Sequence, residues 1–381
     1  MDQCKKVKTA VIGCGTISDI YLRNMTSQFA ILDVVGCNDI IKERMDHRAA
    51  QYHIKAMSLE EILNDKHIEL VVNLTTPEAH HLVTSQGLNA GKHVYSEKPI
   101  DLSIEAAREL VKLADSKGVL YGNAPDTFMG SAIQTARFAL DSGIIGEVTS
   151  VYATLNRDSS LLAERYPFTA LPGGGIGLDV GVYYVTAMLS ILGPVKEVSG
   201  FVSTLHPERT HFLTSRPDFG EKFTLQAENL VVGSFRFANG VMGTMHFNSN
   251  CIQNEKPQIV MHGSEGMLYM DDPNRFGGEV KILLKGQNEP FVLPPTHAYS
   301  ENSRGIGPAE LAWSLRKGRK PRTSKEMAFH GLELLLGLYQ SSETKRFYQM
   351  TSTFERPDPI PRGYLDSSYG GSEPEAGLAF S

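Results

Sequence analysis

The first third of the chain alternates short apolar runs with segments whose apolar residues recur at helical spacing. The apolar runs predict five strands, at TAVIGCG, LDVVGCND, LVVNLTTP, HVYSEKPI and VLYGNA. One helix is predicted between each pair of consecutive strands, and the clearest of them covers 103–117 and ends at Gly118. Because strands that alternate with helices at this spacing form a parallel sheet with right-handed crossovers, we predict a doubly wound Rossmann domain over residues 1–124.

The pattern changes after about residue 125, where longer segments alternate apolar and polar residues. These segments predict mainly antiparallel strands, with an Asn239-Gly240 hairpin turn between two of them. Helical patterns recur four times in this part, over 131–146, 177–193, 309–317 and 326–342. We therefore expect an α/β domain with a large, mainly antiparallel open sheet over 125–355. The segment 356–381, rich in Pro, Gly and Ser, is predicted to be an extended C-terminal tail.

Composition and charge narrow the class of protein. A chain of 381 residues suits two domains, and its formal net charge of −6 argues against a nucleic-acid surface, which needs clustered cations. No apolar run approaches the ~20 residues that span a bilayer. No signal-peptide pattern is present, so we expect a cytoplasmic protein without membrane contact. The cysteines, at positions 4, 14, 37 and 251, show neither a CxxC pair nor metal-ligand spacing, so no metal site is predicted.

The turn after the first strand has the features of a dinucleotide site. Gly13 permits a tight turn, and Gly15 lets backbone N–H groups at a helix start approach a pyrophosphate. Ser18 stands where a third glycine would fall; it is small enough for close helix–strand packing and could also offer a hydroxyl to the phosphates. Asp39, at the end of the second strand, can accept both hydroxyls of the adenosine ribose and would repel a 2′-phosphate. We therefore expect NAD rather than NADP, unless Arg44, otherwise a surface residue, offsets that repulsion.

Four further segments together resemble a known family. In chain order they are LTTPEAHH, YSEKPI, GGGIGLDVGVYYV and GSEGMLYMDDPN. The set resembles the glucose-fructose oxidoreductase, inositol dehydrogenase and rhizopine-catabolism (Gfo/Idh/MocA) family and extends over nearly the whole chain. The resemblance implies an NAD(P)-dependent dehydrogenase that acts on CH–OH groups. It also implies that the second domain binds the substrate and forms the oligomer.

The resemblance implies roles for individual residues. Lys98 matches the family's catalytic lysine, which bonds the reacting hydroxyl and the nicotinamide ribose, and Asp179 matches its active-site aspartate. Glu97 matches a residue near the nicotinamide, and Pro99 is usually preceded by a cis bond. Tyr183 stands in the place of the family's histidine, and the arginine often found after the fifth strand is missing from APDTFMG. The whole cofactor-binding set is Gly13, Gly15, Thr16, Ile17, Ser18, Asp39, Arg44, Thr75, Thr76, Pro77, His81, Glu97 and Lys98.

Moving a hydride from a secondary alcohol to a nicotinamide needs a group that takes the hydroxyl proton. A free lysine, with a pKa of about 10.4, is a poor base at neutral pH. We expect burial and the positive nicotinamide to lower the pKa of Lys98. Asp179 can orient the lysine or a substrate hydroxyl, or it can be a helix-start residue. Tyr183 can donate a hydrogen bond, and its neighbour Tyr184 is assigned to the core.

Other polar residues are candidates for a role in the cleft. Asp126 and Arg157 are substrate candidates because they follow elements that end near the domain junction. Arg304, in the glycine-bearing turn NSRGIG before a helix, could reach a substrate hydroxyl or instead cap carbonyl groups. His81 and His93 are interpreted as structural rather than catalytic.

The leading hypothesis for the function is an NAD-dependent dehydrogenase for a sugar, glycoside or cyclitol, with Lys98 as proton donor or acceptor. One alternative is a transient oxidation of a sugar by NAD that enables elimination or epimerisation without net redox change. The other is a non-catalytic nucleotide or sugar sensor. The predicted partners are a small polyhydroxylated substrate and further copies of the chain, in a homodimer or homotetramer formed through the C-terminal sheet. Aromatic residues of FRF (235–237) and MHF (245–247) are expected in part on the outer face of that sheet.

Overall fold

The computed structural model describes residues 5–252 and 258–362. The N-terminal part of the chain forms a parallel sheet of six strands, β1 (Val7–Ile12), β2 (Leu32–Asn38), β3 (Lys55–Ala56), β4 (Leu70–Asn73), β5 (His93–Ser96) and β6 (Tyr121–Asn123). Their order is β3-β2-β1-β4-β5-β6, the usual order of a Rossmann sheet. The connecting helices are α1 (Ser18–Ser27), α2 (Lys42–Tyr52), α3 (Leu59–Asn64), α4 (Pro77–Asn89) and α5 (Ile104–Lys117). The predicted Rossmann architecture is confirmed.

Successive residues of β1 point to opposite faces of this sheet, as the pleat requires. Val11 packs into a core that includes Tyr21 of α1, whereas Ala10 and Ile12 pack into a second core that includes Ile62 of α3. Because helices cover both faces, the central strands are apolar at nearly every position, and this explains the short apolar runs in the sequence.

Two elements of the first sheet were not predicted. Strand β3 has only two residues, both exposed, so no apolar pattern marks it. Helix α3 does carry a sequence signal, because Ser58 and Glu61 form a capping box. The Ser58 hydroxyl accepts from the Glu61 N–H at 3.1 Å, and the Glu61 carboxylate accepts from the Ser58 N–H at 2.6 Å.

The second sheet has nine strands in the order β16-β15-β14-β13-β7-β12-β11-β8-β17. They are β7 (Val148–Asn156), β8 (Val195–Ser203), β11 (Leu230–Phe237), β12 (Met242–Asn248), β13 (Ile259–Gly263), β14 (Gly266–Met270), β15 (Val280–Leu284), β16 (Phe291–Leu293) and β17 (Tyr348–Gln349). Strands β9 (Glu208–Thr210) and β10 (Lys222–Thr224) form a separate hairpin. Only the β7–β12 pair of the nine-stranded sheet is parallel among the described residues, so the predicted mainly antiparallel sheet is confirmed.

Helices of the second part are α6 (Ser131–Asp141), α7 (Ser159–Arg165), α8 (Val182–Leu192), α9 (Ile306–Lys317) and α10 (Lys325–Thr344). A π-helical turn, Gly177–Gly181, leads directly into α8, so the helix predicted over 177–193 consists of two parts. None of the helices within 5–252 and 258–362 is long and apolar enough to cross a membrane.

The predicted Asn239-Gly240 turn joins β11 to β12, and Gly240 has a φ of 94°. The expectation that the aromatic residues beside this turn lie on the outer face is wrong. Phe235, Phe237 and Phe247 are buried, because they share the inward face of their strands. The outward face instead carries smaller and polar side chains, together with the largely exposed Phe201 of β8 and Met242 of β12.

The predicted C-terminal tail lies partly outside the described residues. Of this tail the structure describes 356–362, which have no helix or strand. These residues pack against the second part of the chain. Ile360 is buried, and its N–H donates to the Gln134 side chain of α6 at 2.8 Å.

Candidate active site

The turn between β1 and α1 has the geometry that a dinucleotide needs. Gly13 has a φ of 101°, and a Cβ atom there would lie 2.6 Å from the backbone of Leu74, which follows β4. A Cβ atom on Gly15, in contrast, would meet no protein atom within 4 Å. The backbone of Gly15 therefore faces open space at the N-terminus of α1, where helix N–H groups favour an anion. The residues present fit a diphosphate at this turn.

The other candidate residues near this turn lie at helix starts. Ser18 is fully buried, and its hydroxyl donates to the Gly15 carbonyl at 2.6 Å, which favours its packing role over a phosphate contact. Arg48 of α2, which the sequence did not single out, donates to the Ser18 hydroxyl at 3.2 Å and to Asp19 at 2.6 Å. Four further residues of the predicted cofactor-binding set lie at the N-terminal ends of α1 and α4. They are Thr16, Ile17, Thr76 and Pro77.

The carboxylate of Asp39 is held at the end of β2. Its Oδ2 accepts from the Cys14 N–H at 2.6 Å, and its Oδ1 accepts from the Ile41 N–H at 2.8 Å. These bonds fix the carboxylate against the glycine turn, where the adenosine ribose of a Rossmann cofactor lies. Arg44 lies exposed in the first turn of α2.

Two adjacent histidines differ in their surroundings. His81 is 40% exposed, and its Nδ1 lies 2.8 Å from the Asp101 carboxylate. His80 is buried, and its ring nitrogens lie 2.9 Å from the Pro99 carbonyl and 3.1 Å from the Thr75 carbonyl. Burial lowers the pKa of His80. His80 therefore connects the segment after β4 with the segment after β5.

His93, at the start of β5, accepts the Leu120 N–H on its Nδ1 at 2.9 Å, as expected of a structural histidine. Thr75 donates its hydroxyl to the Asn73 side chain at 2.7 Å. Both contacts stay within the Rossmann sheet and its loops.

Lys98, just beyond the end of β5, faces the second part of the chain. The Lys98–Pro99 peptide is cis, as the resemblance implies. The Lys98 ammonium donates to the Asp179 carboxylate at 2.7 Å and to the Asp179 main-chain carbonyl. The two side chains are 14% and 16% exposed, so solvent screens the pair only weakly. Asp179 lies in the π-helical turn, so its assignment as a helix-start residue and its contact with Lys98 both hold.

Tyr183 lies between two cations. The Lys98 Nζ is 5.4 Å from the centre of its ring, and the Arg304 Nη2 donates to its hydroxyl at 3.4 Å. Tyr184 points away from them into the core, where its hydroxyl donates to the Gln258 side chain at 2.6 Å. The structure therefore brings the three predicted catalytic residues, Lys98, Asp179 and Tyr183, together with the predicted substrate residue Arg304.

The protonation expected for Lys98 needs correction. Burial lowers its pKa, as anticipated, and is the largest single effect, but the negative charge of Asp179 together with Tyr183, Glu97 and the hydrogen bond to Asp179 raises the pKa by more in total. The net pKa of Lys98 lies above its ordinary value. The pair formed by Lys98 and Asp179 is therefore an ammonium with a carboxylate, in which Lys98 carries its proton at neutral pH.

Glu97 lies behind this pair in a buried position. One carboxylate oxygen accepts the Tyr21 hydroxyl of α1 at 2.6 Å, and the other accepts the Lys98 N–H at 3.0 Å. Burial raises the pKa of Tyr21, and the negative charges of Asp126 and Glu97 raise it further. Tyr21 thus acts as a neutral donor that fixes Glu97 beside the lysine.

Asp126 must be corrected from a substrate candidate to a structural residue. It is 1% exposed, and its Oδ2 accepts the N–H groups of Gly305 and Gly307, each at 3.1 Å, at the start of α9. Its burial raises the pKa of Asp126 to about 6. Burial raises the pKa of Tyr184, and the positive charge of Arg157, which lies partly buried at the end of β7, offsets only part of that rise. Arg157 stays a substrate candidate.

A cavity of about 670 Å³ opens beside Arg304. Arg304 lines it and donates to the Asn274 side chain at 2.9 Å. The other polar side chains that line it come from three stretches of the second part, and they are Gln258, Asp271, Asp272, Arg275, Ser300, Glu301 and Asn302. Such a mixture of amides, hydroxyls and charges of both signs suits a ligand with many hydroxyl groups and little net charge.

The described cysteines, Cys14, Cys37 and Cys251, are free thiols, and Cys4 lies outside the described residues. Within 5–252 and 258–362, no group of three or more His, Cys, Asp or Glu side chains is placed to hold a metal ion.

Two family models match the chain. One, described as an oxidoreductase family with an NAD-binding Rossmann fold, matches residues 7–124, and the other, the GFO/IDH/MocA C-terminal domain, matches residues 133–269. Together they match more than half of the 381 residues. The chain belongs to the GFO/IDH/MocA family. The N-terminal sheet is accordingly the NAD-binding Rossmann fold of this family.

Proteins similar to this chain include oxidoreductases and dehydrogenases. An uncharacterised oxidoreductase of Schizosaccharomyces pombe is 30% identical over 198 residues, which are 51% of this chain and 53% of that protein. The scyllo-inositol 2-dehydrogenase (NADP(+)) of Bacillus subtilis is 25% identical over 358 residues, 89% of this chain and 95% of the enzyme. The solved structure of a levoglucosan dehydrogenase with NADH has a TM-score of 0.79 at 17% identity, over 91% of this chain and all of the other. The matched stretch spans about half the length of the first of these relatives.

Three residues of this GFO/IDH/MocA site were missed from the sequence, namely Tyr21, Arg48 and His80. For Tyr21 a signal existed, because it shares the apolar stripe of α1 with Leu22 and Met25. For His80 the sequence offers only two adjacent histidines, and the fold alone shows which one is buried. Arg48 lies on a strongly polar helix, where nothing local distinguishes it.

Proposed function

We propose that the protein is an NAD(P)-dependent dehydrogenase that moves a hydride between a nicotinamide cofactor and a secondary alcohol of a sugar, glycoside or cyclitol. The observation that carries this proposal is the contact of 2.7 Å between the Lys98 ammonium and the Asp179 carboxylate, beside Tyr183 and at the end of β5. A proton-transferring group there lies at the carboxyl edge of the Rossmann sheet, where cofactors of this fold bind. The names of the related levoglucosan and scyllo-inositol dehydrogenases support the substrate class.

Particular residues would hold the cofactor. Gly13, Gly15 and the N-terminus of α1 would bind the diphosphate, and Asp39 would accept the adenosine ribose hydroxyls. When bound, the nicotinamide supplies or accepts the hydride. Because the Asp39 carboxylate is fixed against the turn and Arg44 is exposed, we infer a preference for NAD over NADP.

The chain's own residues handle the proton. As an ammonium, Lys98 donates a proton to the oxygen of a carbonyl that is being reduced. In the oxidative direction Lys98 first loses a proton and becomes a neutral amine, which then takes the proton of the substrate hydroxyl. The Asp179 carboxylate stabilises the ammonium that forms again. Tyr183 donates a hydrogen bond to the same substrate oxygen, and Arg304 orients the Tyr183 hydroxyl by donating a hydrogen bond to it.

The cavity beside Arg304 supports a polyhydroxylated substrate. Its lining combines acceptors such as Asp271 and Asp272 with donors such as Arg275, so it can satisfy several hydroxyl groups at once. We infer that the substrate extends from Lys98 past Tyr183 into this cavity.

We also propose a homodimer or homotetramer formed through the outward face of the nine-stranded sheet. Phe201 of β8 and Met242 of β12, which are 77% and 59% exposed, lie on this face with β11 between their strands, and they would be covered in such an assembly. Light scattering at micromolar concentration tests this, and a monomeric mass would contradict it.

The activity is tested by incubating pure protein with NAD or NADP and a panel of monosaccharides, glycosides and inositols while NADH or NADPH absorbance is followed. Lys98→Met, which keeps the stem of the side chain and removes the amine, serves as the inactive reference. The proposal is supported if the wild type reduces NAD in the presence of one of these alcohols and Lys98→Met does not. Substrate turnover without net NADH would favour transient oxidation, and cofactor binding without turnover of any alcohol would favour a sensor.

A further inference from the structure

A largely buried carboxylate behind Asp179 has no role in the site described above. Glu228 lies between β10 and β11, and its Oε1 accepts the Gly177 N–H at 3.2 Å and the Tyr339 hydroxyl of α10. Its main-chain carbonyl accepts the Ile176 N–H at 3.1 Å. Glu228 therefore holds the first residues of the π-helical turn in which Asp179 stands.

The segment that leads into this turn is rich in glycine because it packs closely against Glu228 and Tyr339. A Cβ atom on Gly175 would lie 2.0 Å from the Glu228 carboxylate, and one on Gly177 would lie 2.9 Å from the Tyr339 hydroxyl. The Gly175 carbonyl in turn accepts the Asp179 N–H at 2.8 Å. The backbone of the GGGIG segment thus packs directly on Glu228 and Tyr339. Because this segment is hydrogen-bonded to Asp179, the position of Asp179 depends on these two side chains.

The position of Asp179 matters because two of its oxygens bind Lys98. The main-chain carbonyl and the carboxylate both accept from the lysine ammonium, so a displaced turn would move both acceptors together. A misplacement of about 1 Å in a catalytic group can cost about 100-fold in rate.

We propose that Glu228 is a positioning residue, which fixes the turn at Gly177 so that Asp179 meets Lys98 in the reactive geometry. This inference rests on the proposed function, because it assigns Glu228 to the Lys98–Asp179 pair. Tyr339 contributes by holding the same carboxylate oxygen from α10.

The first test compares two substitutions of Glu228 in the full-length enzyme. Glu228→Ala leaves the Gly177 N–H and the Tyr339 hydroxyl without their acceptor, and we expect kcat to fall by about 10- to 100-fold while NAD affinity is unchanged. Glu228→Gln keeps an oxygen acceptor of the same shape, and it should recover most of kcat. Equal kcat for Glu228→Ala and the wild type would overturn the inference, as would a glutamine variant as slow as the alanine variant.

A matched control separates positioning from general stability. Glu333 is another buried carboxylate on the same helix as Tyr339, and it accepts the Tyr348 hydroxyl at 2.9 Å and the Thr351 N–H at 2.8 Å. Glu333→Ala should lower the Tm, as Glu228→Ala does, but leave kcat of the folded enzyme unchanged. A comparable loss of kcat in Glu333→Ala would overturn the assignment of Glu228.

A double-mutant cycle tests whether Glu228 acts through Asp179. In an Asp179→Ala background, Glu228→Ala should cause no further loss of kcat, whereas additive losses would show independent action and overturn the inference. Should Glu228→Ala not fold, Tyr339→Phe replaces it in the cycle, with a severalfold loss expected only when Asp179 is present.

One readout does not depend on activity. Crystal structures of Glu228→Ala and Glu228→Gln would report the distance between the Lys98 Nζ and the Asp179 Oδ1, which is 2.7 Å here. A longer distance in the alanine variant alone supports the inference, and an unchanged distance overturns it. A wild type that oxidises no alcohol would refute the proposed function and leave this structural result to be judged by itself.

Discussion

Replacing Asp179 by asparagine removes one negative charge beside Lys98 and changes the shape of the site very little. In the wild type, burial favours the neutral amine, whereas the Asp179 carboxylate, together with Tyr183 and Glu97, favours the ammonium, and the net pKa of Lys98 is raised. With asparagine in place, the largest contribution that raises the pKa is gone and burial remains. The pKa of Lys98 should therefore fall.

The magnitude follows from the geometry of the pair. The distance of 2.7 Å between the Lys98 Nζ and the Asp179 Oδ1 is that of a charge-assisted hydrogen bond. A hydrogen bond to a charged group contributes about 1.5–3 kcal/mol, and one pH unit of pKa change corresponds to about 1.4 kcal/mol. Asp179→Asn should thus lower the pKa of Lys98 by about one to two pH units.

The assay is the pH dependence of kcat/KM for alcohol oxidation, whose ascending limb reports the group that must lose its proton. This limb should move to lower pH by about one to two units in Asp179→Asn. Asp115→Asn is the control, because Asp115 forms another lysine–aspartate pair, with Lys325 at 3.1 Å, outside the site. A limb that stays in place in Asp179→Asn, or moves to higher pH, would refute the reasoning.

Three further predictions concern Asp39, Tyr183 and Asp126. Asp39→Ala should weaken NAD binding and relax discrimination against NADP, measured as two Kd values by fluorescence titration; tighter NADP than NAD binding by the wild type would contradict the role of Asp39. Tyr183→Phe should lower kcat by at most about tenfold, against about 10²–10⁴-fold for Lys98→Met; equal losses would assign the proton to the tyrosine. Because burial raises the pKa of Asp126 to about 6, the folded protein binds this proton more tightly than the unfolded chain and loses stability as pH rises through that value. Asp126→Asn should remove this decline, of about 3 kcal/mol at most, in urea unfolding at pH 4 and pH 7; the same pH dependence in both proteins would contradict it.

Local sequence patterns were sufficient for the parts of the site that continuous segments build. The glycine turn after β1 and the Glu-Lys-Pro after β5 follow buried strands directly, so the alternation of strand and helix places both at the carboxyl edge of the sheet. The cis bond before Pro99 and the contact of Lys98 with Asp179 also agree with the resemblance. The glycine turn and the Glu-Lys-Pro segment needed no knowledge of distant partners, whereas the contact between Lys98 and Asp179 joins residues 81 positions apart and was implied only by the resemblance.

Other roles depend on partners far away in the chain. Asp126 binds N–H groups about 180 residues further on, so its burial as a helix cap has no local signature. Glu228 binds Gly177 and Tyr339, which are 51 and 111 residues away. The prediction of a lowered pKa for Lys98 was wrong for the same reason, because that pKa depends on the carboxylate of Asp179, which is 81 residues away in the chain.

The junction between the two sheets has contacts besides the bond between Lys98 and Asp179. Asn24 of α1, which is buried, donates to two carbonyl groups of the 302–304 segment, each at 2.8 Å, and Asp126 caps α9 from the Rossmann side. Such buried contacts join the Rossmann side to the second part of the chain without involving Lys98 or Asp179. Asparagine at position 179 would therefore stay where the aspartate is, and its effect would fall on proton affinity. A shifted pH profile with an intact fold is accordingly the result that distinguishes this site from a structural ion pair.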